Sequence, residues 1–248
     1  MKKTVERAWP VLIWIGIWQA LSVKLGSGIL LASPLRVAAR LLEMAASPGI
    51  WRILLNSTGF VVLGFLLSLL LAVPCAVLAR RFAVFRRLME PPVKVMRSVP
   101  VASFIILALV FVSSRHLSIL IAFTVSFPLF FTELISALDE RDPQLEEFSR
   151  VFRLPAGERI WRIDLPQILP KLATTCRTAT GVCWKAGVAA EIIGIPRGSI
   201  GEQMHMAKLY LDTADLFAWT LLILVLSAFF EAAVQTAIRR LTACAKAL

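Results

Sequence analysis

The chain has 248 residues, of which 58% are apolar even before glycine is counted and only 17% are charged, and its mean hydropathy is +0.77. A soluble domain has about 45–50% apolar and about 25% charged residues, and a globule of this size could not cover so much apolar surface. This composition excludes a soluble globule and a disordered chain, and it indicates an integral membrane protein. The net charge of +11 is typical of basic cytoplasmic loops, so no nucleic-acid partner is expected.

Six apolar stretches approach the length of about 20 residues that a membrane-spanning helix needs. No small-residue cleavage site follows the first stretch, which is therefore predicted to be an uncleaved span. The third is short unless it begins near Val93, and Pro128 in the fourth predicts a kink. The predicted fold class is an all-α membrane protein with about six transmembrane helices. The predicted spans are residues 9–31, 53–79, 99–112, 117–138, 172–193 and 214–238.

The distribution of lysine and arginine predicts the orientation of these spans. With a cytoplasmic N-terminus, eighteen of the 27 Lys and Arg residues lie in cytoplasmic segments and seven in external segments. Because basic residues accumulate in cytoplasmic loops, both termini and the loop of residues 139–171 are predicted to be cytoplasmic.

The loop of residues 139–171 is the longest polar segment, and its seven acidic and six basic residues nearly balance. Leu145, Phe148, Val151 and Phe152 have helical spacing, so they form one apolar face. A second short helix is predicted after Pro155 and is expected to stop at Asp164–Pro166. Two interpretations stay open: a helix pair that rests on lipid headgroups, or a docking element for a soluble protein.

The same loop resembles the "EAA" loop of inner-membrane permeases of binding-protein-dependent ABC importers. The segment Glu147–Arg153 and, nine residues later, Ile163–Pro166 match that signature in register, but Phe148 and Ser149 replace the two alanines and Arg153 replaces the glycine. Gly157 lies four positions late, so the turn is expected at Leu154–Pro155. Residues 184–194, the Gly198–Gly201 segment and Arg97–Pro100 resemble nitrate, sulfonate and taurine permeases.

The resemblance covers about residues 51–240 and implies a type I (MetI-like) importer permease. Such a permease pairs with a second permease copy, docks on a cytoplasmic ATPase dimer through the loop, and receives solute from an external solute-binding protein. No nucleotide-binding, metal-binding or catalytic motif occurs in the sequence, so no cofactor, metal or catalytic residue is expected. The residues that the resemblance assigns to ATPase coupling are Glu147, Phe148, Arg150, Phe152, Arg153, Gly157, Leu165 and Pro166.

Charged side chains inside the predicted spans are candidates for a translocation path, because they are costly in lipid. Lys185 lies near the middle of the fifth span, whereas Glu133 and Glu191 lie near span ends, where they could instead reach water. Glu231 is expected to face a neighbouring helix. In a paired permease Lys185 would favour a small anion such as a sulfonate, nitrate or carboxylate, unless an internal glutamate neutralises it.

The predicted organisation is an N-terminal span with its external connection (1–50), a permease domain (51–240) and a cytoplasmic tail (241–248) in a bacterial inner membrane. Two other function classes remain open. One is a substrate-capturing or scaffold subunit without ATPase contact, and the other is a membrane-embedded enzyme. Copurification of an ATPase would distinguish the permease from both.

Overall fold

A computed structural model describes residues 2–26 and 30–247, and the regular elements in those ranges are all helical. The helices are α1 (Lys2–Leu25), α2 (Pro34–Ala46), α3 (Pro48–Arg81), α4 (Ala83–Ser98), α5 (Val101–Ala108), α6 (Ser114–Asp139), α7 (Pro143–Val151), α8 (Ala156–Arg159), α9 (Leu165–Gly194), α10 (Ile200–Leu209) and α11 (Thr213–Ala247), with a π-helical turn (Ile160–Asp164) between α8 and α9.

Among the described residues, three helices are long and apolar enough to cross a membrane: α3, α6 and the Thr213–Cys244 part of α11. They contain the predicted second, fourth and sixth spans, and α6 continues through Pro128 as one helix. The share of the apolar window that is buried falls from 61% in α6 to 11% in α11. Thus α6 is surrounded by other helices of the fold, while much of the apolar surface of α11 faces away from the rest of the protein.

The predicted third span is a bent pair of helices rather than one helix. α4 and α5 meet at an angle of 104°, and Val99 between them has an extended backbone. A residue before proline is disfavoured in the α conformation, and Pro100 lacks an N–H group, so the helix breaks here. Counted together, α4 and α5 would provide a fourth crossing.

The predicted first and fifth spans also differ from the expectation. The apolar part of α1 is Leu12–Leu25, shorter than predicted, and residues 27–29 of the prediction lie outside the described residues. The fifth span lies within α9, which has 30 residues. Because α9 contains Lys171, Arg177, Lys185 and Glu191, it is less apolar than the three helices named above and is not recognised as a membrane-spanning helix by composition.

The main core lies where α3, α6, α9 and α11 meet. The Phe65 ring contacts Phe130 at 5.3 Å and Phe230 at 5.2 Å between centroids, edge to face in both cases. Trp184 of α9 is buried in the same core. Edge-to-face aromatic pairs are favourable beyond the area they bury, so these rings fix how α6 and α11 pack on α3.

Close contact between α3 and α6 requires glycine at position 64. A Cβ atom there would lie 2.5 Å from the Ile119 carbonyl oxygen and 2.8 Å from the Ala122 Cβ atom. We expect Gly64→Ala to lower the stability of the purified protein by roughly 1–3 kcal/mol, as overpacking does. Thermal unfolding in detergent would measure the effect.

Gly59→Ala in the same helix is the matched control, because no atom lies within 4 Å of its added Cβ. Alanine is the better helix former, so this variant should be at least as stable as the wild type. Equal stability of the two variants would contradict the packing of α3 on α6.

Candidate functional site

The predicted amphipathic helix of the loop is α7. Asp142 begins it, because its Oδ1 accepts a hydrogen bond of 2.8 Å from the Gln144 N–H and Pro143 suits the first helical turn. Phe148 is 47% and Phe152 63% exposed, and their ring centroids lie 4.4 Å apart. With Leu145 they form an exposed apolar surface, here called the loop surface.

The turn after α7 is at Arg153. This residue has a left-handed backbone with a φ of +47°, and the Leu154 N–H donates to the Ser149 carbonyl at 3.1 Å. This is a Schellman-type helix end, in which the left-handed position usually holds glycine. The turn therefore occurs where the family signature has its glycine, not at Leu154–Pro155, and Gly157 lies instead in α8.

The predicted stop at Asp164–Pro166 is wrong. The π-helical turn leads directly into α9, and Pro166 lies in the first turn of that helix, where proline's missing N–H costs no hydrogen bond. Leu165 is half-buried against the main core. These two expected coupling residues therefore connect the loop to α9 and do not belong to the loop surface.

Ion pairs hold the loop against the ends of α3 and α6. The Glu146 carboxylate lies 3.4 Å from Arg159 Nη2 and 3.9 Å from Arg80 Nη2, and Arg141 pairs with Asp164. These contacts place α7 in a defined position relative to the spans.

One further contact ties the end of α6 to α9. Lys171 Nζ lies 2.7 Å from the Glu140 carboxylate and 2.6 Å from the Ser136 hydroxyl. The hydrogen bond from Lys171, followed by that from Ser136, lowers the pKa of Glu140. The contact therefore favours the charged form of Glu140 and links the end of α6 to α9.

The remaining expected coupling residues lie around the loop surface. Glu147, on the outward side of α7, is exposed, as is Arg153 at its end. The side chain of Arg150 lies outside the described residues. The loop surface thus combines aromatic side chains with at least one acidic and one basic group.

Lys185 and Glu133 lie on the open sides of α9 and α6. Both side chains are exposed, and within the described residues the Lys185 ammonium has no hydrogen bond or ion pair. Glu133 lines a cavity of about 300 Å³ with Thr174 and Thr178 of α9. Thr174, Thr178 and Lys185 share one helix face by their spacing, so α9 presents a polar face to the outside of the chain.

Glu191 does not line this face, which corrects its predicted role. Its side chain is 0% exposed. Its Oε2 accepts hydrogen bonds from Ser57 Oγ at 2.7 Å and from the Gly201 N–H at 3.2 Å, and its Oε1 accepts one from Ser118 Oγ at 3.3 Å. Glu191 therefore neither reaches water nor contacts a path; it joins α3, α6, α9 and α10.

Two other expectations concern Glu231 and metals. Glu231 Oε1 lies 2.8 Å from Arg177 Nε, so Glu231 faces a neighbouring helix, α9, as expected.

Across the described part of the chain, no group of three or more His, Cys, Asp or Glu side chains could hold a metal ion.

The sequence is similar to curated permeases over nearly its whole length. It is 28% identical to a probable ABC transporter permease protein of Brucella melitensis, over 93% of each chain. It is 25% identical to SsuC of Bacillus subtilis, named as an aliphatic sulfonates transport permease, over 92% of this chain and 83% of that one.

The fold is similar to solved ABC transporters. The inward-facing MetNI methionine ABC transporter matches with a TM-score of 0.63 and 16% identity, over 79% of this chain and 99% of that one. An amino acid ABC transporter solved with histidines matches with a TM-score of 0.60 and 13% identity, over 77% and 93%. Residues 64–243 match the family described as the binding-protein-dependent transport system inner membrane component. The chain therefore belongs to this family, the permease subunits of ABC importers.

Proposed function

We propose that this permease subunit imports a small organic or inorganic anion, such as a sulfonate or nitrate. The observation that carries the proposal is the exposed ammonium of Lys185 on the polar face of α9; this ammonium has no hydrogen bond or ion pair within the described ranges. A lysine inside a span is costly unless it faces a polar cavity or a partner. A second permease copy, most simply an identical one, would enclose this face and turn it into a path.

The other polar groups of this face are two hydroxyls and one carboxylate. Thr174 and Thr178 are exposed, but their hydroxyls donate to the carbonyls of Pro170 and Thr174, and Glu133 adds one negative charge at the edge of the face. Lys185 is therefore the group on this face that would attract an anion. The name of SsuC, which is 25% identical, points to aliphatic sulfonates as the first anions to test.

Energy would come from a cytoplasmic ATPase dimer that contacts the loop surface. The exposed Phe148 and Phe152 rings support this part of the proposal, since exposed aromatics flanked by charges are typical of docking elements. An external solute-binding protein would deliver the anion, and both termini would be cytoplasmic. The outward-facing apolar residues of α11 would contact lipid or the second copy.

Lys185→Met tests the substrate proposal because it keeps side-chain length and removes the charge. Uptake of labelled ethanesulfonate or nitrate by cells should fall about tenfold or more, since an ion interaction near 4 Å is worth several kcal/mol at intermediate dielectric and each ~1.4 kcal/mol is a factor of ten. The amount of purified protein and of copurified ATPase should not change.

Two control variants accompany it. Lys185→Arg keeps the charge and should retain most of the uptake, and Lys24→Met removes an exposed lysine of α1 and should have no effect. If Lys185→Met transported as well as the wild type, the ammonium would not contact the substrate. If the wild type imported neither anion, the substrate class itself would be wrong.

A further inference from the structure

A second polar cavity lies at the end of the helices opposite the loop. It has a volume of about 780 Å³ and lies between the start of α3, the start of α6 and the segment after α9. Arg52, Arg115 and Arg197 contribute to its wall, one from each of these three elements. From the sequence alone, these arginines are predicted only to lie in three separate external segments. The fold brings the three segments together around one cavity.

The three guanidinium groups have no anionic partner among the residues that the structure describes. Each is exposed, and within residues 2–26 and 30–247 none of them forms an ion pair. None of the described residues that line the cavity is acidic. At the loop end, by contrast, Arg80 and Arg141 pair with carboxylates. The cavity therefore holds an uncompensated positive charge.

One hydroxyl group and a tethered loop complete the cavity. Ser114 offers a hydroxyl beside Arg115. Asn56 Nδ2 donates to the Gly198 carbonyl at 3.4 Å, which ties the segment carrying Arg197 to α3. The nearby Glu202 accepts from the Gly198 N–H at 2.6 Å, so its carboxylate is engaged by the loop backbone rather than by the arginines.

We propose that this cavity is an anion-binding site that takes a sulfonate or a similar oxyanion at the external mouth of the permease. Guanidinium groups bind oxyanions through paired, charge-assisted hydrogen bonds, and clustered positive charge raises the local concentration of anions. The transport role of the site rests on the proposed function, whereas its binding of anions can be tested alone.

The test uses Ser114→Cys, a near-isosteric change in the cavity wall, in a background that carries Cys244→Ala and Cys75→Ala, because Cys244 is exposed and Cys75 is only partly buried. Cys176 and Cys183 are buried, and the protein without Ser114→Cys provides the blank rate. The full-length permease in neutral phosphatidylcholine nanodiscs is treated with methanethiosulfonate ethylsulfonate, which is anionic, or with its cationic trimethylammonium analogue.

With each rate divided by that reagent's rate for a small free thiol, the anionic reagent should react about tenfold faster than the cationic one, as a positive surface potential would produce. Replacing Arg52, Arg115 and Arg197 together by glutamine should abolish this preference, and ethanesulfonate should slow the anionic reagent with a saturable dependence. Tyr210→Cys, at the exposed residue that follows α10, is the control and should show neither effect.

Three other outcomes would overturn the proposal. An unchanged preference in the triple variant would show that the arginines do not create the potential. Protection by added phosphatidylglycerol but not by ethanesulfonate would identify a lipid headgroup as the occupant. A preference without protection by any small anion would indicate a positive surface suited to an acidic protein. Normal anion uptake by the triple variant would show that transport does not need the site, but it would leave the proposed function intact. If the wild type bound the anion in the cavity but did not import it, the proposed function would be wrong while the anion-binding site would stand.

Discussion

Phe148→Ala combined with Phe152→Ala should release the ATPase from the membrane complex. The two rings lie 4.4 Å apart and are exposed, so they can enter one groove of a partner together. Burying two phenylalanines contributes about 3–6 kcal/mol before ordering costs, whereas a surface ion pair adds about 1 kcal/mol or less. Copurification of the ATPase with tagged permease measures the loss, which should be nearly complete.

The double variant should still fold, because neither ring is in the chain's own core. Phe111→Ala is the matched control: Phe111 is even more exposed but lies beyond α5, outside the loop surface, and its loss should leave the ATPase bound. Undiminished ATPase recovery with the double variant would mean that the loop surface rests on lipid headgroups, the alternative that the sequence leaves open.

Hydropathy predicts the long helices well because lipid-facing and core-facing positions are both apolar in a membrane protein. It therefore locates both ends of α6 within three residues, and it places the second and sixth spans inside longer helices, of which α11 continues nine residues beyond the predicted end. It fails for residues 93–112, where the decisive feature is local. Val99 leaves the helical conformation, which the following Pro100 disfavours, and an average over many apolar residues hides this break.

Helical spacing also predicts the exposed face of α7, because Leu145, Phe148 and Phe152 need only local geometry to share a side. The turn that follows is harder to predict. Arg153 adopts a left-handed backbone conformation, which is sterically disfavoured for residues other than glycine, so the sequence contains no local reason to expect the turn there. The register of the family signature predicts the position of the turn better than the Leu154–Pro155 pair does, because the signature has its glycine at the position of Arg153.

Contacts between residues far apart in the sequence explain what the sequence-based prediction of the site got wrong or missed. Glu191 looks accessible near a span end, but its acceptor oxygens are taken by Ser57, which is 134 residues earlier, and by Ser118. Isolated serines inside apolar spans carry no signal that identifies a carboxylate partner. A single sequence also contains no information that Arg52, Arg115 and Arg197 share one cavity.

The buried Glu191 cluster lies next to that cavity. Ser57 is one residue beyond Asn56, and Gly201 follows the loop that carries Arg197. The Ile200 N–H donates to Ser57 Oγ at 2.9 Å, and Ser57 in turn donates to Glu191. The carboxylate thus anchors the start of α10 to α3 and α9, and any anion held by the arginines would rest on elements that Glu191 holds together.

Removing this anchor should have the largest effect on stability of any single change in the spans. Glu191→Ala leaves the buried Ser57 hydroxyl and the Gly201 N–H without their acceptor, at roughly 1–3 kcal/mol for each unpaired group, and it adds a cavity. Glu191→Gln keeps a carbonyl oxygen that can accept from Ser57 and Gly201, while its amide can donate to Ser118. Thermal unfolding in detergent should therefore rank the proteins as wild type, Gln and Ala in decreasing stability.

Glu133→Ala provides the matched control, because Glu133 is an exposed carboxylate of α6 and its loss should leave the unfolding temperature nearly unchanged. Ser57→Ala should reproduce part of the loss, since it removes one donor to Glu191 and the acceptor of the Ile200 N–H. The combination of Ser57→Ala with Glu191→Ala should then cost less than the sum of the two changes, as expected for residues in one hydrogen-bonded network. Additive losses would show that the two side chains act separately and that Glu191 is not the link between α3 and α10.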